Sequence, residues 1–117
     1  MPKLHRSDLL RELKVEFPQT TAELNSQHGS LYGEIEVFRR FAQRAVFDGD
    51  RELAARCFSI AEKYFLSGNA AMRNAIDGGF VEEFEFRSPR KDREWAWDMF
   101  PTCLKEAYVA FHLKPGI

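Results

Sequence analysis

The chain has 117 residues, 17 of them basic and 18 acidic, for a formal net charge of −1. That is the length of one domain with one hydrophobic core, and 44% apolar against 30% charged residues is a folded rather than a disordered balance. The near-neutral charge argues against a nucleic-acid-binding domain, and no apolar run nears the roughly 18 residues that a membrane helix needs.

The N-terminus lacks the apolar core of a signal peptide, so the expectation is a soluble, cytoplasmic protein. Two cysteines, Cys57 and Cys103, do not make a disulfide framework and read as free thiols in a reducing compartment. The outlying number is 11 Phe, beside 2 Trp and 3 Tyr. Such a load supplies a large burial term, and any surplus outside the core marks a contact surface.

The first predicted helix has Ser7 as its N-cap and runs through Phe17, with Leu9, Leu10, Leu13 and Phe17 on one face. Pro18 stops it, because the residue before a proline avoids the α region. Residues 19–30 are polar apart from Ala22 and Leu24. A short helix starting after Thr20 or Thr21 and a loop both fit them.

The clearest helix runs from Leu31 to Asp48. Leu31, Ile35, Phe38, Ala42 and Ala45 repeat at alternating spacings of four and three, and Val37, Phe41 and Val46 widen the stripe. The helix is therefore expected to pack on two sides, leaving Glu36 and Arg40 as a favourable pair on its polar face. In Asp48-Gly49-Asp50, Gly49 suits a left-handed helix end and Asp50 the next N-cap. The following helix, from Arg51 to Leu66, turns Ala54, Cys57, Phe58, Ala61 and Phe65 inward.

Ser67-Gly68-Asn69 ends that helix and starts another, from Ala70 to Ile76, which Gly78-Gly79 is expected to interrupt. Residues 80–86 are ambiguous. As a helix, Phe80, Val81 and Phe84 share a face. As a strand, Phe80, Phe84 and Phe86 do. Helix is favoured, since nothing nearby supplies a partner strand. A basic loop with Arg87, Arg90 and Lys91 leads to a helix from Asp92 to Phe100. Pro101 then opens a last helix, from Thr102 to Leu113, with Leu104, Ala107, Tyr108 and Phe111 inward.

The two longest helices form a hairpin, since short connections favour antiparallel packing. Its second arm carries Ala54, Phe58 and Ala61 in the small–aromatic–small order that resembles a tetratricopeptide (TPR) repeat. Small residues let two helix axes approach, and the aromatic fills the adjacent groove. Ala45 stands where the repeat has a tyrosine, no proline follows near Leu66, and no second copy is present. The peptide-binding groove of an array, which takes about three repeats, therefore does not follow. The segments Arg56–Phe65, Asn69–Ile76, Phe80–Glu83 and Leu104–Tyr108 together resemble an uncharacterised family of small bacterial all-helical proteins. Some proteins of that kind neutralise secreted polymorphic toxins as immunity proteins. The resemblance implies binding of another protein and supplies no catalytic residues.

Catalytic groupings are lacking. Cys57 lies on an apolar face, where a thiol packs as a small hydrophobe. Cys103 sits in the first turn of a helix, where a lowered thiol pKa is the alternative to packing. His5, His28 and His112 show no metal-ligand spacing. Asp48, Asp50 and Glu52 imitate a calcium loop, but Leu53 and Ser59 replace its glycine and its final glutamate. Glu82, Glu83 and Glu85 make an acidic strip, followed by a basic one at Arg87, Arg90, Lys91 and Arg93. Trp95 and Trp97 point about 200° apart on a helix, so two arrangements are open: one is core and the other partly exposed, where Trp is enriched at binding hot spots, or both are buried between neighbouring helices.

The expectation is an all-α single domain, 1–117, of five or six helices around a TPR-like hairpin. It is expected to be a non-enzymatic immunity protein without metal or cofactor that occludes a cognate toxin. The partner-binding candidates are Glu82, Glu83, Glu85, Asp92, Glu94, Trp95, Trp97 and Asp98. An adaptor module, a homodimer and a small-ligand-binding domain are the alternatives.

Overall fold

A computed structural model describes residues 3–86 and 94–112, and these form an all-helical fold. Helix α1 spans Arg6–Glu16. It starts ahead of Ser7, because the backbone N–H of His5 donates to the Asp8 carboxylate (3.0 Å) and closes the first turn one step earlier. A 3₁₀ turn at Pro18–Thr20 leads into the short α2, Thr21–Asn25, so the polar stretch is part helix, part turn. Ser30 caps α3, Leu31–Phe47, by accepting from Gly33 N.

Helix α4, Arg51–Ser67, follows a tight reversal. Gly49 takes the left-handed conformation (φ +75°), and Asp50 Oδ1 accepts from Leu53 N. Helix α5, Ala70–Ile76, is capped by Asn69. Beyond 86, α6 spans Glu94–Met99 and α7 spans Thr102–His112. The predicted start of α6 at Asp92 lies outside the described residues.

Helix α3 is the spine. It packs against α2, α4, α5 and the turn that follows α5, and it buries Ile35, Val37, Phe38, Ala42, Ala45 and Val46. From α4 come Ala54, Cys57, Phe58 and Ala61, as the spacing predicts. Phe65 is only half-buried, whereas Ile60 and Tyr64 are core. The reason is α1, which closes the other side of α4. Leu4 N donates to Ser67 O, Asn69 N donates to Leu4 O, and Tyr64 OH donates to Glu12 Oε1 (2.9 Å), the carboxylate that also takes Lys63.

Helix α1 is tied to α3 by Arg6, which grips Glu34 through Nε and Nη2 (2.7 and 2.6 Å). Glu34 is 1% exposed, so this bidentate pair is what makes a buried carboxylate tolerable.

Four expectations are corrected. The described residues hold seven α-helices rather than five or six, because the polar stretch supplies the short α2. The glycine pair does not interrupt the helix: α5 continues through it as a π turn, Asp77–Val81. A Cβ on Gly79 would lie 2.9 Å from Ile35 Cγ2, so the glycine lets the turn press onto α3. Residues 80–86 are neither one helix nor a strand. Phe80 and Val81 belong to the π turn, Glu82 and Glu83 form a turn, and Phe84–Phe86 run without regular structure. On α7, Phe111 is exposed rather than inward, because Leu104 is the helix's one core residue and beyond it Ala107 and Tyr108 lie partly buried against the core.

Candidate functional site

The site is built where α5 runs out. The π turn delivers Glu82 and Glu83 to the surface, and the chain then crosses α3 as an irregular stretch whose backbone polar groups need partners. Gln43, on α3, supplies them. Its Nε2 donates to Glu85 O and its Oε1 accepts from Glu85 N, both at 2.8 Å. The side-chain amide thus does for Glu85 what a neighbouring strand would do. Gln43 is 7% exposed, and this exchange satisfies a polar group the core would otherwise reject.

The clamp fixes the side chains on either side of Glu85. Phe84 points inward, with its ring 5.4 Å from Phe58 and 5.9 Å from Phe100. Phe86 stands half-buried at the centre of a second cluster, edge-on to Trp97 (5.2 Å), Phe100 (4.8 Å) and Tyr108 (5.4 Å). Edge-to-face contacts of this kind hold rings in fixed orientations. On α7, His112 stacks on Tyr108 (4.0 Å), and its Nε2 lies 3.1 Å from the Glu82 carbonyl oxygen, closing the far side.

Between the 82–86 stretch and α7 lies a cleft of about 690 Å³. Phe86, Trp97, Tyr108 and Val109 supply its aromatic and aliphatic wall, and Glu82, Glu83 and Glu85 supply acid from one side. Two smaller grooves, of about 310 and 330 Å³, lie between α1 and α4 and beside Phe41.

Electrostatics sharpen the picture. Burial pushes the Glu82 carboxyl above the usual carboxylate range, Asp77 and Glu83 push it further by repulsion, and His112 opposes them. Some acids elsewhere find cations: Glu12 with Lys63, Glu16 with Arg56, Glu34 with Arg6. Among the described residues, no cation pairs with Glu82, Glu83 or Glu85.

Of the eight candidate residues, the structure brings together four: Glu82, Glu83, Glu85 and Trp97. Trp95 is half-buried away from the cleft, with the Arg51 guanidinium 5.1 Å over its ring. Glu94 and Asp98 are exposed on α6 and do not line the cleft. Asp92 and the basic strip lie outside the described residues. Of the two arrangements open for the tryptophans, the split into one core and one exposed does not occur. Both are half-buried, because α6 is flanked by α4 on one side and by Phe86 and α7 on the other.

Gln43, Phe86, Val109 and His112 were not among the candidates. A glutamine inside the apolar stripe of α3 is the one signal that pointed to them, since a buried amide demands a partner from another segment.

Both cysteines sit where the thiolate is disfavoured. Cys57 is fully buried and its thiol is pushed up to about 12, mainly by burial. Cys103 is half-buried. Burial and Glu62 raise its thiol too, against the lowering expected in a helix's first turn. No group of three or more His, Cys, Asp or Glu among the described residues could hold a metal. No helix among them is long and apolar enough to cross a membrane.

The family that matches is the domain of unknown function DUF7674, over residues 10–114. The match runs from within α1 past the end of α7, so it takes in the core and the cleft together. The chain belongs to this family. No curated protein and no solved structure matches it.

Proposed function

We propose that this chain is a non-enzymatic protein-binding domain whose contact surface is the cleft between residues 82–86 and α7. In this reading it acts in the bacterial cytoplasm as an immunity protein that neutralises a cognate toxin by covering it. The observation that carries the reading is the meeting, at one cleft, of three carboxylates that pair with no cation among the described residues and a rigid aromatic wall. Carboxylates steer a basic partner into place, and Trp and Tyr held by their neighbours give contact area at low entropic cost.

The α3–α4 hairpin is read as a TPR-like packing unit, on the burial of Ala54, Phe58 and Ala61 along the arm that packs on α3. Its part is structural: it holds Phe58 under Phe84 and so sets the floor beside the cleft.

The experiment is co-expression with a toxin domain encoded beside the gene. Growth protection and co-purification at fixed stoichiometry are expected. A neighbourhood without a toxin, or a toxin whose activity the purified protein leaves untouched, overturns the reading.

A further inference from the structure

The cleft has a specific chemistry beyond being a contact surface. Its volume, about 690 Å³, lies within the roughly 300–1,000 Å³ typical of ligand sites and exceeds the needs of a single ordered water. Its wall is apolar, at Phe86, Trp97, Tyr108 and Val109. Among the described residues its charge is dominated by the carboxylates of Glu82, Glu83 and Glu85, to which Asp77 adds at Glu82 and which only His112 opposes. An apolar partner would strand those carboxylates without water, and an acidic one would be repelled.

A guanidinium on an aliphatic stem meets both demands. Its stem lies along the aromatic wall while its planar head spans carboxylate oxygens in pairs. The molecule already shows that Trp97 accepts a cation, since Lys105 Nζ sits 5.6 Å from the ring centre.

We infer that the cleft receives an arginine side chain of a partner protein, its guanidinium held by Glu82, Glu83 and Glu85 and its stem against Trp97 and Tyr108. This rests on the binding reading above and names the chemistry of the partner's anchoring residue. Insertion relieves the like-charge crowding of Glu82 by Asp77 and Glu83. Arginine is preferred to lysine, because an ammonium is more strongly hydrated and cannot bridge several carboxylates in one plane.

The test uses the full chain and an acetylated, amidated Gly-Gly-Arg-Gly-Gly peptide, with the citrulline peptide as its neutral twin. The readouts are the Trp97 indole N–H resonance and the amides of Glu82–Phe86 and Tyr108–His112. The arginine peptide is expected to shift these resonances saturably, the citrulline peptide to leave them in place, and the lysine peptide to bind more weakly. E82Q with E85Q is expected to weaken arginine binding at least tenfold. Thermal unfolding of this double variant should be unchanged or shifted upward, since the substitutions remove crowded charge. Equal shifts from arginine and citrulline, shifts confined to another face, or undiminished binding by the double variant would overturn the inference. Toxin protection that persists in the double variant overturns this inference alone. Arginine binding without any protection by the native chain overturns the toxin reading alone.

Discussion

Gln43 holds a stretch of chain that no secondary structure supports. Its amide satisfies both backbone groups of Glu85, so Gln43→Leu leaves that N–H and C=O unpaired beside a buried methyl group. The expected cost is on the order of 1–3 kcal/mol. The signature beyond a lower melting temperature is faster amide exchange at Glu85, while α4 exchange stays unchanged. Phe58 is the matching apolar case. It is 1% exposed and meets Phe84 and Phe100 edge-on, at 5.4 and 5.0 Å, so Phe58→Ala should cost about 3–5 kcal/mol in urea unfolding. An unchanged midpoint would refute its place in the core. The thiols give a third check. Cys57, fully buried and raised to about 12, should resist a thiol-specific reagent at pH 8 until the chain unfolds, and the half-buried Cys103 should react first.

The π turn is the element that builds the site. An α-helix continued through 77–81 would place Glu82 and the residues after it at a different rotation about the axis. The extra residue per turn swings the exit toward α7. Its two glycines have different jobs. At Gly79 an added Cβ would lie 2.9 Å from Ile35 Cγ2, and at Gly78 nothing comes closer than 3.7 Å. Gly79→Ala should therefore cost about 1–3 kcal/mol by overpacking, and Gly78→Ala should be tolerated. Thermal melts of the two variants side by side check this, and equal losses would refute it. Here sequence reading reached its limit. The glycine pair was legible as an irregularity, but a break and a widened turn differ only in whether α3 is there to press against.

Across the whole molecule, charge and pH couple to the cleft. Reversing Glu82 and Glu85 to Lys should slow partner association severalfold at low salt with little effect on folding, since both side chains stand at the surface of the 82–86 stretch. The pH dependence follows from Glu82. Its carboxyl titrates above the usual range, and a bound guanidinium favours its ionised form. Binding is therefore present in full at higher pH and is lost as pH falls through that raised value. Asp77, Glu83, Glu85 and His112 face the same carboxylate or cleft. Arginine-peptide affinity measured across mildly acidic pH should fall earlier than for a single ordinary carboxylate. E82Q should flatten the first part of that fall, and a profile unaltered by E82Q would refute the assignment.

The elements were largely written into the chain itself. Spacing placed α3 and α4, Gly49 and Asp50 placed their turn, and Asn69 opened α5, because each depends on neighbours within a few residues. Composition likewise set the all-helical core and its aromatic weight. Tertiary packing alone decided the rest. It made Tyr64 core, by laying α1 over α4, and left Phe111 outside. It set Gln43 against Glu85, 42 positions apart, and gathered Trp97 and Tyr108 around Phe86 while leaving Trp95 to Arg51. Local spacing carries which face of a helix is apolar; which segment meets that face depends on the path of the whole chain.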